Sequence, residues 1–353
     1  MQPCSAPMNF HIAAIQNLSV HYVGNKSAEE GMVLSKEVLE LEDDLKLKVK
    51  DFFLNRFVSV FEKNKFDHPS SLQYNEVYNF AEGIFSGNSS FHLTSVQIAQ
   101  HLYKHSSHAK IKGGELYVCH FSDCIFENQT IDAVGIFKTE NKSNYFEVTE
   151  KQAKFSIKLK EGIDLNKLDK GCLIFNTLKE EGFRVLIIDT QSRGEEAQYW
   201  KDDFLSLTPV NDDFRQTNKF LSITKKFVTE QIEQEFDVTR PDQIDLLNRS
   251  VDYFKKNDSF DKTHFEKEVF QDPKLIKSFR EYDQSYRQEN EMDLDDRFDI
   301  SQNAVKQQIR VFKSVLKLDK NFHIYIHGSK ELIEQGVEPD GRKFYKIYYK
   351  EEF

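Results

Sequence analysis

Cysteine is scarce in this 353-residue chain: Cys4, Cys119, Cys124 and Cys172 are scattered, with no CxxC pair and no histidine spacing that would complete a zinc site. The four are expected to be reduced thiols. Glycine (14) and proline (7) are few beside 31 phenylalanines, which argues against long disordered or low-complexity stretches. No apolar run approaches the ~20 residues that cross a bilayer. The opening MQPCSAPMNFHIAAIQNL also lacks the charged and then apolar regions of a secretion signal, so neither secretion nor membrane insertion is expected. Missing too are a nucleophile elbow, a phosphate-binding glycine loop, a dinucleotide fingerprint, HExxH and a paired-carboxylate motif. Gly113 and Gly114 lack the remaining glycines of a phosphate loop and read as a turn before a strand. The chain is therefore read as a non-enzyme without cofactor, the weakest alternative being a hydrolase that uses the carboxylates around Asp293 to Asp299.

What is present is enough apolar residue, 39% of the chain, to fill two cores. The charge, 48 basic against 58 acidic residues or −10, repels a polyanion at long range. Any attraction to nucleic acid must come from local cationic patches.

Read in order, FHIAAIQNLSVHYVG gives a short strand or two. From Glu29 to about Lys63 apolar residues recur at helical spacing (Val38, Leu41, Leu45, Val49, Phe52, Phe53), predicting one long amphipathic helix or two with a joint. Two more helices follow over 75–85 and 94–103. The latter ends with His101 and His105 at i, i+4 and His108 a turn further on. That spacing can hold a metal, but without carboxylates or cysteines nearby it reads as a solvated helix end that complements the dipole, and no metal is expected. Six β-prone runs then succeed one another (ELYVCHFSDCIF, IDAVGIFKT, YFEVTE, FSIKLKEG, GCLIFN, FRVLIIDT), predicting an antiparallel, mostly meander sheet. Because helices precede the strands and do not alternate with them, the class is α+β.

The boundary between an α+β domain over 1–207 and a mainly helical domain over 208–353 lies in YWKDDFLSLTPVNDDFRQTNKFLSITKKFVTEQIEQE, with Pro209 and the polar Asn211 to Asp213 as the break. Asp213 is the expected N-cap of a helix over 214–235. On it Phe220, Ile223, Phe227 and Val228 share one face, and Arg215, Lys219 and Lys226 another. Helices over 241–254, 262–270 and 273–286 follow, with Pro241 and Pro273 in first turns. QENEMDLDDRFD carries six acids and reads as a solvated linker rather than a divalent-cation loop. A last helix over 302–317 carries the apolar stripe Val305, Ile309, Phe312, Leu316 and the cationic stripe Lys306, Arg310, Lys313, Lys317. NFHIYIHGS and KFYKIYYKEE close the chain as a β-hairpin. From Ser301 onward ten basic residues face seven acidic ones, a local +3. Cations repeated along a helix can track the phosphates of a duplex without reading bases, so Arg215, Lys219, Lys226, Lys306, Arg310, Lys313 and Lys317 are the candidate nucleic-acid contacts.

The order of these parts resembles the bacterial 37-kDa nucleoid-associated protein family: an early helical region, a strand block containing EGIDLNKLDKGCLIFN, the aromatic junction FLSLTPVNDDFRQTNKFL, a helical second half and a hairpin near FHIYIHGS. The resemblance spans most of the chain and has no short catalytic signature to carry over. It implies a cytoplasmic bacterial protein of the nucleoid whose partner is DNA. Its alternative is an interaction protein, dimeric through the Phe-rich junction, that reaches the nucleoid by binding another protein.

Overall fold

The structure, a computed structural model, describes residues 8–190, 199–310, 312, 315–326 and 330–352. The chain divides into two compact units, one ending at Val210 and the other beginning at Asn211. It is α+β, with antiparallel sheets.

The first unit contains β1 (Met8–Asn9), β2 (Ala14–Val23), β3 (Met32–Val33), helix α1 (Asp43–Leu54), β4 (Asn64–Phe66), α2 (Glu76–Ser86) and α3 (Phe91–His105). After these come β5 (Gly114–Phe126), β6 (Gln129–Thr139), β7 (Lys142–Lys151), β8 (Lys154–Ile163), β9 (Lys170–Phe175), β10 (Arg184–Asp189) and β11 (Leu207–Pro209). Nine of these strands make one sheet in the order β11-β4-β10-β9-β6-β5-β2-β3, with β1 on β5. The central strands are apolar at nearly every position because both faces are covered. Side chains alternate across a strand. Leu116, Val118, Val134, Ile136, Cys172 and Ile174 point to a core shared with α2 and α3. The intervening Cys119, Phe121, Ala133, Phe137, Leu173 and Phe175 point to a second core under α1. There Phe53 stacks on Phe137 with ring centroids 4.2 Å apart.

All six expected strands are present, but two leave the sheet. YFEVTE and FSIKLKEG lie within β7 and β8, which pair only with each other among the described residues. The expected helix or pair of helices over 29–63 is a correction: only Asp43–Leu54 is α-helical, with a single 3-10 turn at Phe57–Ser59 after it. Upstream of it Met32–Val33 adds an edge strand to β2, and the Leu39 N–H donates to the Leu18 carbonyl at 2.7 Å, so the segment spends its backbone groups on the sheet.

The second unit is built on α4 (Asp213–Lys226), prolonged by a wider π-type turn over Phe227–Gln231 and a last α-turn to Glu235. Its N-cap is Asp212 rather than Asp213: the Asp212 carboxylate accepts from Arg215 N at 3.1 Å. α5 (Arg240–Lys256) opens with a Thr239/Asp242 capping box. β12 (Ser259–Asp261), α6 (Lys262–Val269), α7 (Pro273–Glu289), β13 (Arg297–Asp299) and α8 (Gln302–Ile309) follow. Around Phe220 they gather Phe254, Phe260, Phe265 and Phe279, with Phe220 and Phe260 centroids 4.3 Å apart. Phe204, Phe214, Phe220 and Phe227 of the aromatic junction are all buried.

The end of the chain corrects two expectations. The last helix stops at Ile309, and Val315–Leu318 is a strand, β14, paired with β15 (Phe322–Tyr325) across a turn at Asp319 (φ 51°). Leu316 packs with Ile244 of α5 and Ile326 instead of continuing the Phe312 stripe. KFYKI, in β17 (Lys343–Ile347), pairs with β16 (Ile333–Val337), so two hairpins stand where one was expected.

Candidate nucleic-acid interface

Helical periodicity places Arg215, Lys219 and Lys226 along one side of α4. Arg215 and Lys219 are half-buried and neither is free of partners. The Lys226 ammonium donates to the Tyr286 hydroxyl of α7 at 2.7 Å and lies 4.8 Å above that ring. The hydrogen bond holds its pKa above the usual lysine value. Lys226 thus remains charged but is tied to a neighbour.

Lys306 and Arg310, at the exposed side and C-terminal end of α8, and Lys317 on β14 are exposed, with no ion pair among the described residues. Lys313 lies outside the described residues. Because α8 ends at Ile309, the four do not form one helical stripe; Lys306 and Arg310 belong to a helix terminus and Lys317 to a hairpin. α8 rests on α4 through Asn218, whose amide donates to Gln307 at 3.4 Å, and through Gln308, which donates to Ser222 at 3.4 Å.

The two cation sets differ in their anionic surroundings. QENEMDLDDRFD is no solvated linker: Leu294 is buried, Gln216 bonds the Asp295 carboxylate at 3.0 Å, and the Asp295 N–H returns to Gln216 Oε1 at 3.0 Å. Asn211 donates to Asp293 at 3.3 Å. Carboxylates therefore border the N-terminal end of α4 next to Arg215, where a phosphate would meet repulsion.

Sequence spacing gave no sign of a charged cleft between α6 and α7, a cavity of about 560 Å³. Asp283, fully buried, accepts from Lys262 at 2.5 Å and from Arg287 at 2.8 Å; Glu266 takes both Nε and Nη2 of Arg280, at 2.8 and 2.6 Å. Arg297 pairs with Asp261 at 2.9 Å. Most of these partners are separated by 14 to 36 residues, which is why no local motif announced them. Four cations and four carboxylates face one another here, and the network fastens α6, α7 and β13 together without a surplus of either sign.

The histidines of α3 are not a solvated end. His101 is buried, with Nε2 3.1 Å from the Phe204 carbonyl and its ring 4.7 Å from that of His105. Burial holds its pKa below the usual histidine value. His108 is exposed and accepts from Lys110 N at 3.3 Å. Among the described residues no three histidine, cysteine or acidic side chains gather at metal-binding distances. No helix among them is long and apolar enough to cross a membrane.

A family model described as nucleoid-associated protein YejK matches residues 19–342. No curated protein matches the chain.

Proposed function

This chain belongs to the nucleoid-associated protein YejK family, and from that premise we propose that it binds DNA directly and without catalysis, along the phosphate backbone and with little sequence preference, in the nucleoid of a bacterial cytoplasm. The family match carries the reading. Lys306, Arg310 and Lys317 support it, as exposed cations without an ion pair among the described residues in a segment that is locally +3 within a chain of −10. Cations left unpaired are the ones a phosphate can take without first breaking a salt bridge. Arg215, Lys219 and Lys226 stand second, since each already has a neighbour. Lys313 is kept as a contact on its place in the sequence alone.

A filter-binding or gel-shift titration at two salt concentrations tests the proposal. Binding that weakens steeply with salt and is indifferent to sequence supports it. Failure to bind duplex at low salt overturns it and favours recruitment by another nucleoid protein.

A further inference from the structure

The largest run of exposed apolar side chains in the first unit lies on the β7–β8 arm. The register sets Phe146 opposite Leu159, Val148 opposite Ile157 and Glu150 opposite Phe155, all on one face of the two-stranded ribbon. The other face carries Tyr145 opposite Lys160, Glu147 opposite Lys158 and Thr149 opposite Ser156. The arm is thus amphipathic, yet its apolar face stays largely bare among the described residues: Phe146 is 71% exposed, Val148 59%, Phe155 75%, Ile157 67% and Leu159 63%. A solitary two-stranded hairpin is marginal in water, and one with a bare apolar face gains stability only when that face is covered.

The root of the arm is held firmly. The buried Asp169 carboxylate accepts from Glu140 N at 2.6 Å, Asn141 N at 3.0 Å and the Asn141 side chain at 2.9 Å. Beneath it the fully buried Lys138 bonds Glu140 at 3.0 Å, and Tyr199 donates to the same carboxylate oxygen at 3.0 Å. Ten residues of each strand then leave the sheet from this anchored base.

We infer that the apolar face of the β7–β8 arm is a self-association surface, covered by the same face of a second copy of this chain. Self-complementarity singles out that occupant. A two-fold axis lying in the interface between the Phe146–Leu159 and Val148–Ile157 rows places each row on the other. The same axis brings Asn144 over Glu150 and Phe155 over Glu161, so no like charges are opposed. The five side chains include two phenylalanines, which bury about 150–250 Å² each, so the face supplies a contact at the small end of protein–protein interfaces, below the ~800 Å² per partner of a standard one, as suits association in the micromolar range. DNA is a poor alternative for this face, since it presents apolar side chains where phosphate needs cations. The inference stands independently of DNA binding.

Sedimentation equilibrium of the full-length chain across the micromolar range tests it. The parent protein should have twice the 41.5 kDa mass of one chain. The double variant Phe146→Glu/Ile157→Glu should associate at least about 30-fold more weakly, as for loss of an interface hot spot. Ser143→Glu/Thr149→Glu adds the same charge on the opposite face and should remain dimeric. A shortened arm, with 144–161 replaced by a two-residue turn, should be monomeric with an unchanged circular-dichroism melt of the nine-stranded sheet. A monomeric parent overturns the inference, as does a Phe146→Glu/Ile157→Glu dimer. The first of these would hand the face to a different protein. DNA affinity measured on the same variants separates failure of this surface from failure of the DNA reading.

Discussion

His21 is the clearest case of a residue whose chemistry comes from its surroundings. It is buried; its Nδ1 accepts from Ser35 N at 3.1 Å, so its Nε2 carries the proton, 2.9 Å from Ser95 Oγ. Burial, helped by the nearby His92, lowers its pKa to about 4. Since the unfolded chain takes up that proton near pH 6.5 and the folded chain only near 4, the unfolded state binds more protons between those values. The stability that neutral His21 contributes is therefore complete above pH 6.5 and is lost as pH falls towards 4, by roughly 3 kcal/mol in the limit of that difference. Urea melts at pH 7, 6 and 5 should show the decline, and His21→Asn should flatten it; an equal slope in the variant would contradict the assignment. Cys119, Cys124 and Cys172 are buried free thiols whose ionisation burial pushes up, Cys124 to about 12. A thiolate-directed reagent at pH 8 should leave all three unmodified in the native chain and label them on unfolding, which mass spectrometry of the peptides reads directly. The scattered cysteines suggested reduced thiols in the sequence but not their burial; the proton-poor histidine was not visible there either, because Ser35 and Ser95 lie 14 and 74 residues away from it.

At the scale of elements, period and composition located most helices and all six strands of the 114–189 block. They misjudged those whose backbone partners are distant. The helical spacing over 29–42 is overridden by hydrogen bonds to β2, and the spacing over 315–317 by pairing with Phe322–Tyr325. Two turns test this level. Gly182 sits at φ +99°, and a Cβ there would stand 2.2 Å from the Phe66 carbonyl oxygen. Gly182→Ala should cost about 1–3 kcal/mol in a chemical melt, from backbone strain before any clash is counted. The tip of the arm turns on Gln152 (φ 54°) and Ala153 (φ 58°), left-handed positions that suit Asn-Gly. Gln152→Asn/Ala153→Gly should slow amide hydrogen exchange along β7 and β8 while leaving the melt of the nine-stranded sheet unchanged; no change in arm exchange would mean that the turn does not limit its stability.

For the whole molecule, charge is the governing quantity. A net −10 leaves DNA attraction to a few positions, and each phosphate contact contributes about one to the slope of log affinity against log salt. Replacing Lys306, Arg310 and Lys317 with Gln should flatten that slope by up to about three, with folding nearly unaffected because all three are exposed. Replacing Arg215 and Lys219 should have a smaller effect on the slope and a larger one on stability, since both are half-buried and engaged. The reverse ranking would move the interface to α4.

Composition and periodicity by themselves determined the α+β class, the strand block and the helical second half, because those follow from local propensity and from which residues need burial. Only the tertiary structure decided which of the described cations stand exposed and without an ion pair among the described residues, that the phenylalanines of the junction are buried, and that YFEVTE and FSIKLKEG leave the sheet as an arm with an exposed apolar face. An alternating strand looks the same in sequence whether its apolar side meets a core or water; what covers it depends on residues far along the chain, or on another chain.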